Sequence, residues 1–115
     1  MAPVRTKRVY EPADPADGRR VLVDRIWPRG VSRERADVDA WMPEVAPSTD
    51  LRKWFGHDPA RWDEFQTRYR AELADNPDVD QLAALMGDGP LTLVYSARDT
   101  EHNQALVIAS VLDGR

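Results

Sequence analysis

The sequence predicts a single small α/β domain of three layers, in which a short, mostly parallel sheet is flanked by helices. The chain has 115 residues, which is the size of one domain. A short run at residues 21–26 shows no polar alternation until Asp24, as expected of a strand covered on both faces, and residues 91–95 predict the second strong strand. Helical patterns lie between these runs, and a helical crossover returns the chain in the same direction, so the two strands are expected to be parallel.

Proline, glycine and capping residues mark the element boundaries in the first half of the chain. Pro28 removes a backbone donor and Gly30 permits a positive φ, so the strand at 21–26 is expected to end in a turn. Ser32 is predicted to cap the helix that follows. The predicted elements are an extended segment at 4–10, a loop at 11–18, the strand at 21–26, a helix at 33–36 and, at 38–42, either a short strand or an irregular crossing.

The second half of the chain is predicted to be mostly helical. Leu51, Trp54 and Phe55 share one face of a brief helix that begins at Pro47-Ser48 and is capped by Gly56. The remaining predicted elements are a helix with the one-sided apolar stripe Trp62, Phe65, Tyr69 and Leu73, a helix at 78–86, the strand at 91–95 and a last helix that begins at Thr100 and ends at Gly114.

Composition excludes several classes of function. The chain has no cysteine, which excludes disulfide scaffolds, thiolate zinc sites, iron–sulfur centres and thiolate nucleophiles. Its apolar runs are far shorter than the ~20 residues needed to cross a bilayer. The charged N-terminus has no apolar segment behind it and does not read as a secretory signal. We therefore expect a cytoplasmic protein without a membrane partner, and no motif implies a cofactor.

Charge is distributed unevenly along the chain. The net charge is −4, yet residues 1–35 contain nine Arg or Lys against five Asp or Glu, whereas residues 36–115 contain seven against fifteen. The basic excess of the first third predicts either a positive patch for an anionic ligand or an ordinary solvated surface. The acidic total disfavours nucleic acid as a partner.

The first candidate site lies at the carboxyl end of the strand at 21–26. In open parallel sheets, ligands bind beyond the carboxyl ends of the strands. Arg25 and Arg29 can hold a phosphate or a carboxylate, Trp27 can stack on a ring, and Asp24 can orient an arginine or a histidine. The alternative interpretation is an internal ion pair of Asp24, with Trp27 sealing the core.

The second candidate site follows the strand at 91–95, where the last helix is predicted to begin. Free N–H groups at a helix start attract anions, and a cation and an imidazole would strengthen the attraction. The residues concerned are Ser96, Arg98, His102 and Asn103. The alternative interpretation is helix capping by Asp99 or Thr100. If the two strands are parallel neighbours, both candidate sites lie in one crevice.

Two further residues come from the segment between the first two helices of the second half. Trp54 and Phe55 there are predicted core residues, whereas Arg52 and His57 can face the crevice. An imidazole suits proton transfer near neutral pH, so His102 and His57 are the candidate general acids or bases, with Asp24 as the third candidate catalytic residue. A metal site of His57, His102 and a carboxylate has no supporting motif, so no metal is predicted.

Three motifs occur in order along the chain. They are Val21-Leu22-Val23-Asp24-Arg25-Ile26-Trp27-Pro28-Arg29-Gly30-Val31, then Ala46-Pro47-Ser48 with Leu51-Arg52-Lys53-Trp54-Phe55-Gly56-His57-Asp58-Pro59, and Tyr95-Ser96-Ala97-Arg98-Asp99 with Glu101-His102-Asn103. With them the chain resembles the YeaO-like family of bacterial proteins, domain of unknown function 488, over nearly its whole length. The resemblance implies one small α/β domain at 1–115, a mostly cytoplasmic distribution and no accepted biochemical activity.

The residues predict a small-molecule enzyme or binding domain whose cleft, at the carboxyl ends of two strands, takes a phosphorylated or carboxylated ligand. Arg25, Arg29 and Arg98 are the expected anion clamps. The competing hypothesis is a non-catalytic interaction or regulatory module, in which the basic first third meets an acidic partner or nucleic acid. Neither hypothesis fixes whether the protein is an enzyme or what its oligomeric state is.

Overall fold

A computed structural model describes residues 4–87 and 89–114. Within them, short 3-10 turns at Pro15–Asp17, Pro43–Val45 and Pro59–Arg61 each begin with a proline, whose fixed φ suits the first position of a helical turn. The helices and strands, in chain order, are β1 (Val4–Arg8), β2 (Arg19–Leu22), α1 (Arg33–Ala36), β3 (Ala40–Trp41), α2 (Thr49–Phe55), α3 (Trp62–Ala74), α4 (Asp78–Ala84), β4 (Leu91–Tyr95) and α5 (Gln104–Asp113).

The strands of the described residues form one parallel sheet in the order β1-β4-β2-β3. β2 and β4 are its interior pair, with Val21 opposite Leu93. This confirms that the two apolar runs are parallel neighbours. β3 is only two residues long and pairs with β2, so the short strand is the correct alternative for residues 38–42.

β2 ends earlier than the sequence predicts, at Leu22 instead of residue 26. The N–H of Val23 still donates to the sheet, at 3.0 Å from the Val94 carbonyl. At Asp24, however, the backbone carbonyl accepts a hydrogen bond from the indole Nε1 of Trp41 at 2.8 Å. Because that carbonyl is bonded to a side chain and not to a strand, the ladder stops and residues 24–26 form a loop.

Capping residues set the helix ends largely as predicted. The hydroxyls of Ser32 and Ser48 accept backbone hydrogen bonds at the starts of α1 and α2, and Gly56 ends α2 with a φ of 55°. α4 ends at Ala84, two residues before its predicted end. There the N–H of Met86 bonds to the carbonyl three residues back, so the last turn is tighter than an α-helix.

α5 begins four residues later than the predicted start at Thr100. The Oδ1 atom of Asp99 accepts the backbone N–H groups of Glu101 at 2.9 Å and His102 at 3.1 Å, and this turn holds the segment out of the helix. Asn103 is the true N-cap, since its side chain accepts the first-turn N–H of Leu106. The prediction of a helix from Thr100, capped by Asp99 or Thr100, is therefore wrong.

The sheet is covered on both faces, which confirms the three-layer α/β fold. Val21 and Leu93 point into the larger core, to which α2, α3, α4 and α5 all contribute. Leu22 and Val94 point into a smaller core on the opposite face, closed by Ala36 of α1. Both interior strands thus bury alternate residues in different layers, as the absence of polar alternation before Asp24 predicts for the first of them. No helix in the described ranges is long and apolar enough to cross a membrane.

Candidate functional site

A cavity of about 330 Å³ opens at the carboxyl ends of β2 and β4. Its lining includes residues 24–26, which follow β2, and Ser96 and Ala97, which follow β4, together with residues of α2 and of the segment entering α5. This is the position at which parallel α/β sheets bind ligands. We refer to this cavity as the cleft.

Most of the residues that the sequence predicts for the site line the cleft. They are Asp24, Arg25, Arg52, His57, Ser96, His102 and Asn103. The parallel pairing of β2 with β4 brings the first two predicted segments together, and α2 adds the third. Trp27, Arg29 and Arg98, in contrast, are not brought into the cleft.

Trp27 packs into the smaller core on the other face of the sheet. Its Nε1 donates to the Val31 carbonyl at 2.6 Å, and its ring meets the edge of Trp41 with the centroids 5.5 Å apart. Trp27 therefore seals a core, as the alternative interpretation expects. Arg29 and Arg98 are exposed on the surface outside the cleft lining.

Asp24 is the buried carboxyl group at the inner end of the cleft, with 7% of its surface exposed. The Nε2 atom of Gln104 donates to its Oδ1 at 2.7 Å, and Ser96 contributes hydrogen bonds from its backbone and side chain. Burial raises the pKa of Asp24 above the ordinary value, against the opposing effects of these bonds and of the nearby Arg52 charge. We call Asp24, Ser96 and Gln104 the floor of the cleft.

His102 is held in place by two contacts. Its Nδ1 lies 2.8 Å from Oδ2 of Asp99, and its ring meets Trp62 edge-on with the centroids 5.4 Å apart. Hydrogen bonds from the Glu101 backbone and from the His102 ring hold the pKa of Asp99 below its ordinary value. Because Nδ1 is bonded to Asp99, Nε2 is the ring nitrogen left to meet a ligand.

Two of the predicted ligand-binding residues are already bonded within the protein. Arg25 donates to the carbonyls of Ala46 at 3.1 Å and Pro47 at 3.3 Å, and so fixes the segment that leads into α2. Asn103 caps α5 and also donates to the Asp99 carbonyl at 3.0 Å. These side chains shape the cleft wall.

The mouth of the cleft is basic. Arg52, Lys53 and His57 line it and are exposed, and we call them the rim. Across residues 4–87 and 89–114, the ion pairs include neither Arg52 nor Lys53. His57 follows Gly56 with a φ of 56°, and its ring lies 6.2 Å from that of Phe55. Histidine is among the non-glycine residues that adopt this left-handed conformation more often than most.

Lys53 and Gln104 line the cleft in addition to the predicted site residues, and Phe55, which is predicted only as a core residue, lines it as well. Lys53 adjoins Arg52, so the helix that carries one also carries the other. Gln104 was hidden by the misplaced start of α5, because Asn103 had not been recognised as the cap.

No group of three or more metal-ligating side chains occurs in the part of the chain that the structure describes. His57 and His102 both line the cleft, but no carboxylate completes a metal-binding set with them there. The combination of these histidines with Asp24 or Asp99 therefore gains no support from the geometry.

The fold and the site define a small parallel α/β domain with a polar cleft beyond its interior strands. The chain belongs to the DUF488-N3i family, described as the inactive DUF488-N3 subclade, whose model matches residues 3–115. The resemblance to the YeaO-like proteins is thereby confirmed, since the chain is 44% identical to the uncharacterized protein YeaO of Escherichia coli (strain K12) over 110 residues, covering 95% of this chain and 96% of YeaO.

Mycobacterial proteins are similar to this chain over the same extent. It is 46% identical over 112 residues to an uncharacterized protein of Mycobacterium tuberculosis (strain ATCC 25618 / H37Rv), with 97% of this chain and 95% of the relative covered. The values are the same for an uncharacterized protein of Mycobacterium bovis. No solved structure matches the chain significantly. Membership in this family thus identifies relatives of the chain but assigns it no activity.

Proposed function

We propose that this protein is a cytoplasmic binding domain for a small ligand that carries a phosphate or a carboxylate group, and that the ligand lies in the cleft. The observation that carries the proposal is the rim. Two cations, Arg52 and Lys53, stand at the mouth of a cavity and are outside every ion pair of the described residues. An anionic ligand would supply the missing partner.

The chemistry of the rim suits an oxyanion. The planar guanidinium of Arg52 can bind two oxygens of a phosphate or carboxylate at once, and Lys53 adds a compact charge beside it. Asp24 lies close enough to Arg52 for its pKa to be lowered by that charge, although burial, the largest effect, raises it. Arg52 is therefore near Asp24 at the cleft and not on a distant part of the surface.

Binding without catalysis fits the family better than an enzyme does. The family model that covers this chain is described as an inactive subclade. The Asp99–His102 pair has the geometry that orients an imidazole in many enzymes, but an oriented imidazole also serves as a hydrogen-bonding group for a bound ligand. We therefore assign His102 to ligand binding.

The basic first third of the chain supports the interaction-module hypothesis less well. Of its nine Arg and Lys side chains, five are hydrogen-bonded within the protein. They are Arg5, Lys7, Arg8, Arg20 and Arg25. Much of the basic excess therefore holds loops and strand ends together, and less of it is available to an acidic partner or nucleic acid.

Calorimetric titration with phosphate, pyrophosphate and small dicarboxylates tests the proposal. We expect saturable binding of at least one of these anions, weakened roughly tenfold by Arg52→Gln and again by Lys53→Gln, since each loses a charged hydrogen bond. Arg35→Gln is the matched control, because Arg35 is an exposed arginine on α1, outside the cleft lining. Equal weakening by the control, or no binding of any anion, would refute the proposal.

A further inference from the structure

We propose that the ligand of the cleft is a planar nitrogen heterocycle joined to an anionic group, of which a nucleoside monophosphate is the simplest example. This inference rests on the proposed function and adds the chemical class of the ligand. It is carried by the opposite chemistry of the two ends of the cleft, an acceptor at the floor and cations at the rim.

The floor is built to accept a hydrogen bond from the ligand. Asp24 accepts a hydrogen bond from Gln104 at 2.7 Å, and hydrogen bonds from Ser96 are among the effects that lower its pKa. It is a buried group that lines a cavity, and a carboxylate has about four lone-pair sites. A ring N–H or an exocyclic amine of the ligand would add a further hydrogen bond to it. A carboxylate or a fully ionised phosphate ester has no such donor and would instead meet a like charge.

The wall between the floor and the rim is aromatic. Phe55 and Phe65 line the cleft and stack on each other with their centroids 4.3 Å apart. The His57 ring contacts Phe55, and the His102 ring contacts Trp62, which itself stacks on Phe65. The two cleft imidazoles therefore belong to one continuous cluster of rings. Such a wall favours a flat ring over an aliphatic chain.

The size of the cleft limits the ligand. Its volume of about 330 Å³ lies at the small end of the range for ligand pockets, roughly 300–1,000 Å³. One heterocycle with its sugar and one phosphate suits this space better than two linked nucleotides. In this arrangement the base meets Asp24, and the phosphate reaches Arg52 and Lys53.

The experiment compares ligands before it compares variants. The purified protein is titrated with the four common nucleoside monophosphates, with the corresponding nucleosides and with ribose 5-phosphate. We expect at least one nucleoside monophosphate to bind roughly tenfold or more tighter than both its nucleoside and ribose 5-phosphate. The nucleoside lacks the phosphate for the rim, and ribose 5-phosphate lacks the base for the floor. This comparison needs no variant and so does not depend on how any variant folds.

Asp24→Asn and Arg52→Gln then separate the two ends of the cleft. We expect Asp24→Asn to remove the advantage of the nucleotide over ribose 5-phosphate, because ribose 5-phosphate has no base to bond to Asp24. Arg52→Gln should weaken the binding of both the nucleotide and ribose 5-phosphate. The asparagine keeps a carbonyl oxygen for Gln104 and nearly the same shape, and circular dichroism melting checks that the variant is folded.

Each other outcome is decisive. If ribose 5-phosphate binds as tightly as every nucleotide, or if Asp24→Asn leaves nucleotide binding unchanged, the heterocycle assignment is wrong although the anion-binding function stands. If phosphate, pyrophosphate, dicarboxylates and nucleotides all fail to bind, both proposals fail together.

Discussion

Arg20 forms a buried ion pair at the amino end of β2, far along the strand from the cleft. Its Nη1 lies 2.6 Å from Oδ2 of Asp17, and the guanidinium also donates to the carbonyls of Ala36 and Asp37 at 2.8 Å each. Asp17 additionally bonds Lys7 at 3.2 Å. One guanidinium, on a residue that is 4% exposed, therefore serves three acceptors.

Arg20→Leu is expected to lower the free energy of unfolding by about 3 kcal/mol, because it leaves a buried carboxylate with one cationic partner and strips two carbonyls of their donor. Urea denaturation measures the loss. Arg19→Leu is the control, since Arg19 is exposed and should change stability by no more than about 0.5 kcal/mol. Equal losses in both variants would contradict a special role for Arg20.

The free energy of unfolding of the Asp24→Asn variant is expected to increase, relative to that of the natural protein, as the pH rises. Burial raises the pKa of Asp24 above its ordinary value of 3.8, so the folded state holds this proton more tightly than the unfolded chain does. Ionisation of Asp24 therefore costs stability as the pH rises through the folded pKa, whereas asparagine does not ionise. Urea denaturation between about pH 3 and pH 7 measures the difference. A difference that is independent of pH would argue against the raised pKa.

Side-chain direction explains which site residues the sequence could predict. Asp24 and Ser96 follow the interior strands directly, so the parallel pairing alone brings them together. Trp27 comes after the turn, and its indole is drawn to the smaller core by a bond to the Val31 carbonyl. Arg98 precedes the turn made by Asp99 and is exposed. Position relative to a strand end is readable from sequence, but orientation after a turn is not.

At the scale of elements, the largest difference between prediction and structure is the start of α5. Several residues before this helix can cap it, and they compete to do so. Asp99, Thr100 and Asn103 are all residue types that cap helices, so the sequence offers several starting points. Asp99 instead closes a turn over Glu101 and His102. The late start presents His102 and the first residues of α5 to the cleft, so the shift has a direct effect on the site.

Asn103→Ala is expected to lower the free energy of unfolding by about 1–2 kcal/mol, because the first turn of α5 loses its cap. Asn103→Ser keeps a capping oxygen and should recover a large part of the loss. Denaturant unfolding of the two variants gives the comparison. If serine and alanine were equally destabilising, the cap would not be the source of the effect, and the bond to the Asp99 carbonyl would be the better explanation.

At the scale of the whole molecule, the two interior strands tie the layers together. β2 contributes Val21 to the larger core and Leu22 to the smaller one, and β4 divides Leu93 and Val94 in the same way. The three-layer fold was predictable because residues 21–23 lack polar alternation and because helices alternate with the two strong strands. The unequal sizes of the two cores could not be predicted, because α1 has only four residues and gives little hydrophobic periodicity.

We expect the chain to unfold in one cooperative transition, because neither core can open without exposing the strands that it shares with the other. Far-ultraviolet circular dichroism reports mainly the helices of the larger layer. Tryptophan fluorescence of a Trp54→Phe, Trp62→Phe variant reports Trp27 and Trp41, which lie at the smaller core and the sheet edge. The two signals should share one midpoint, and separate midpoints would show that the layers unfold independently.

The hydrogen bond from the Trp41 indole to the Asp24 carbonyl gives the molecule an optical probe of its own. Trp41 is 37% exposed and is bonded to the same residue whose carboxyl group belongs to the floor of the cleft. A ligand that moves the Asp24 backbone is therefore expected to change the emission of Trp41 without any added dye. Trp41→Phe should remove that part of the fluorescence change.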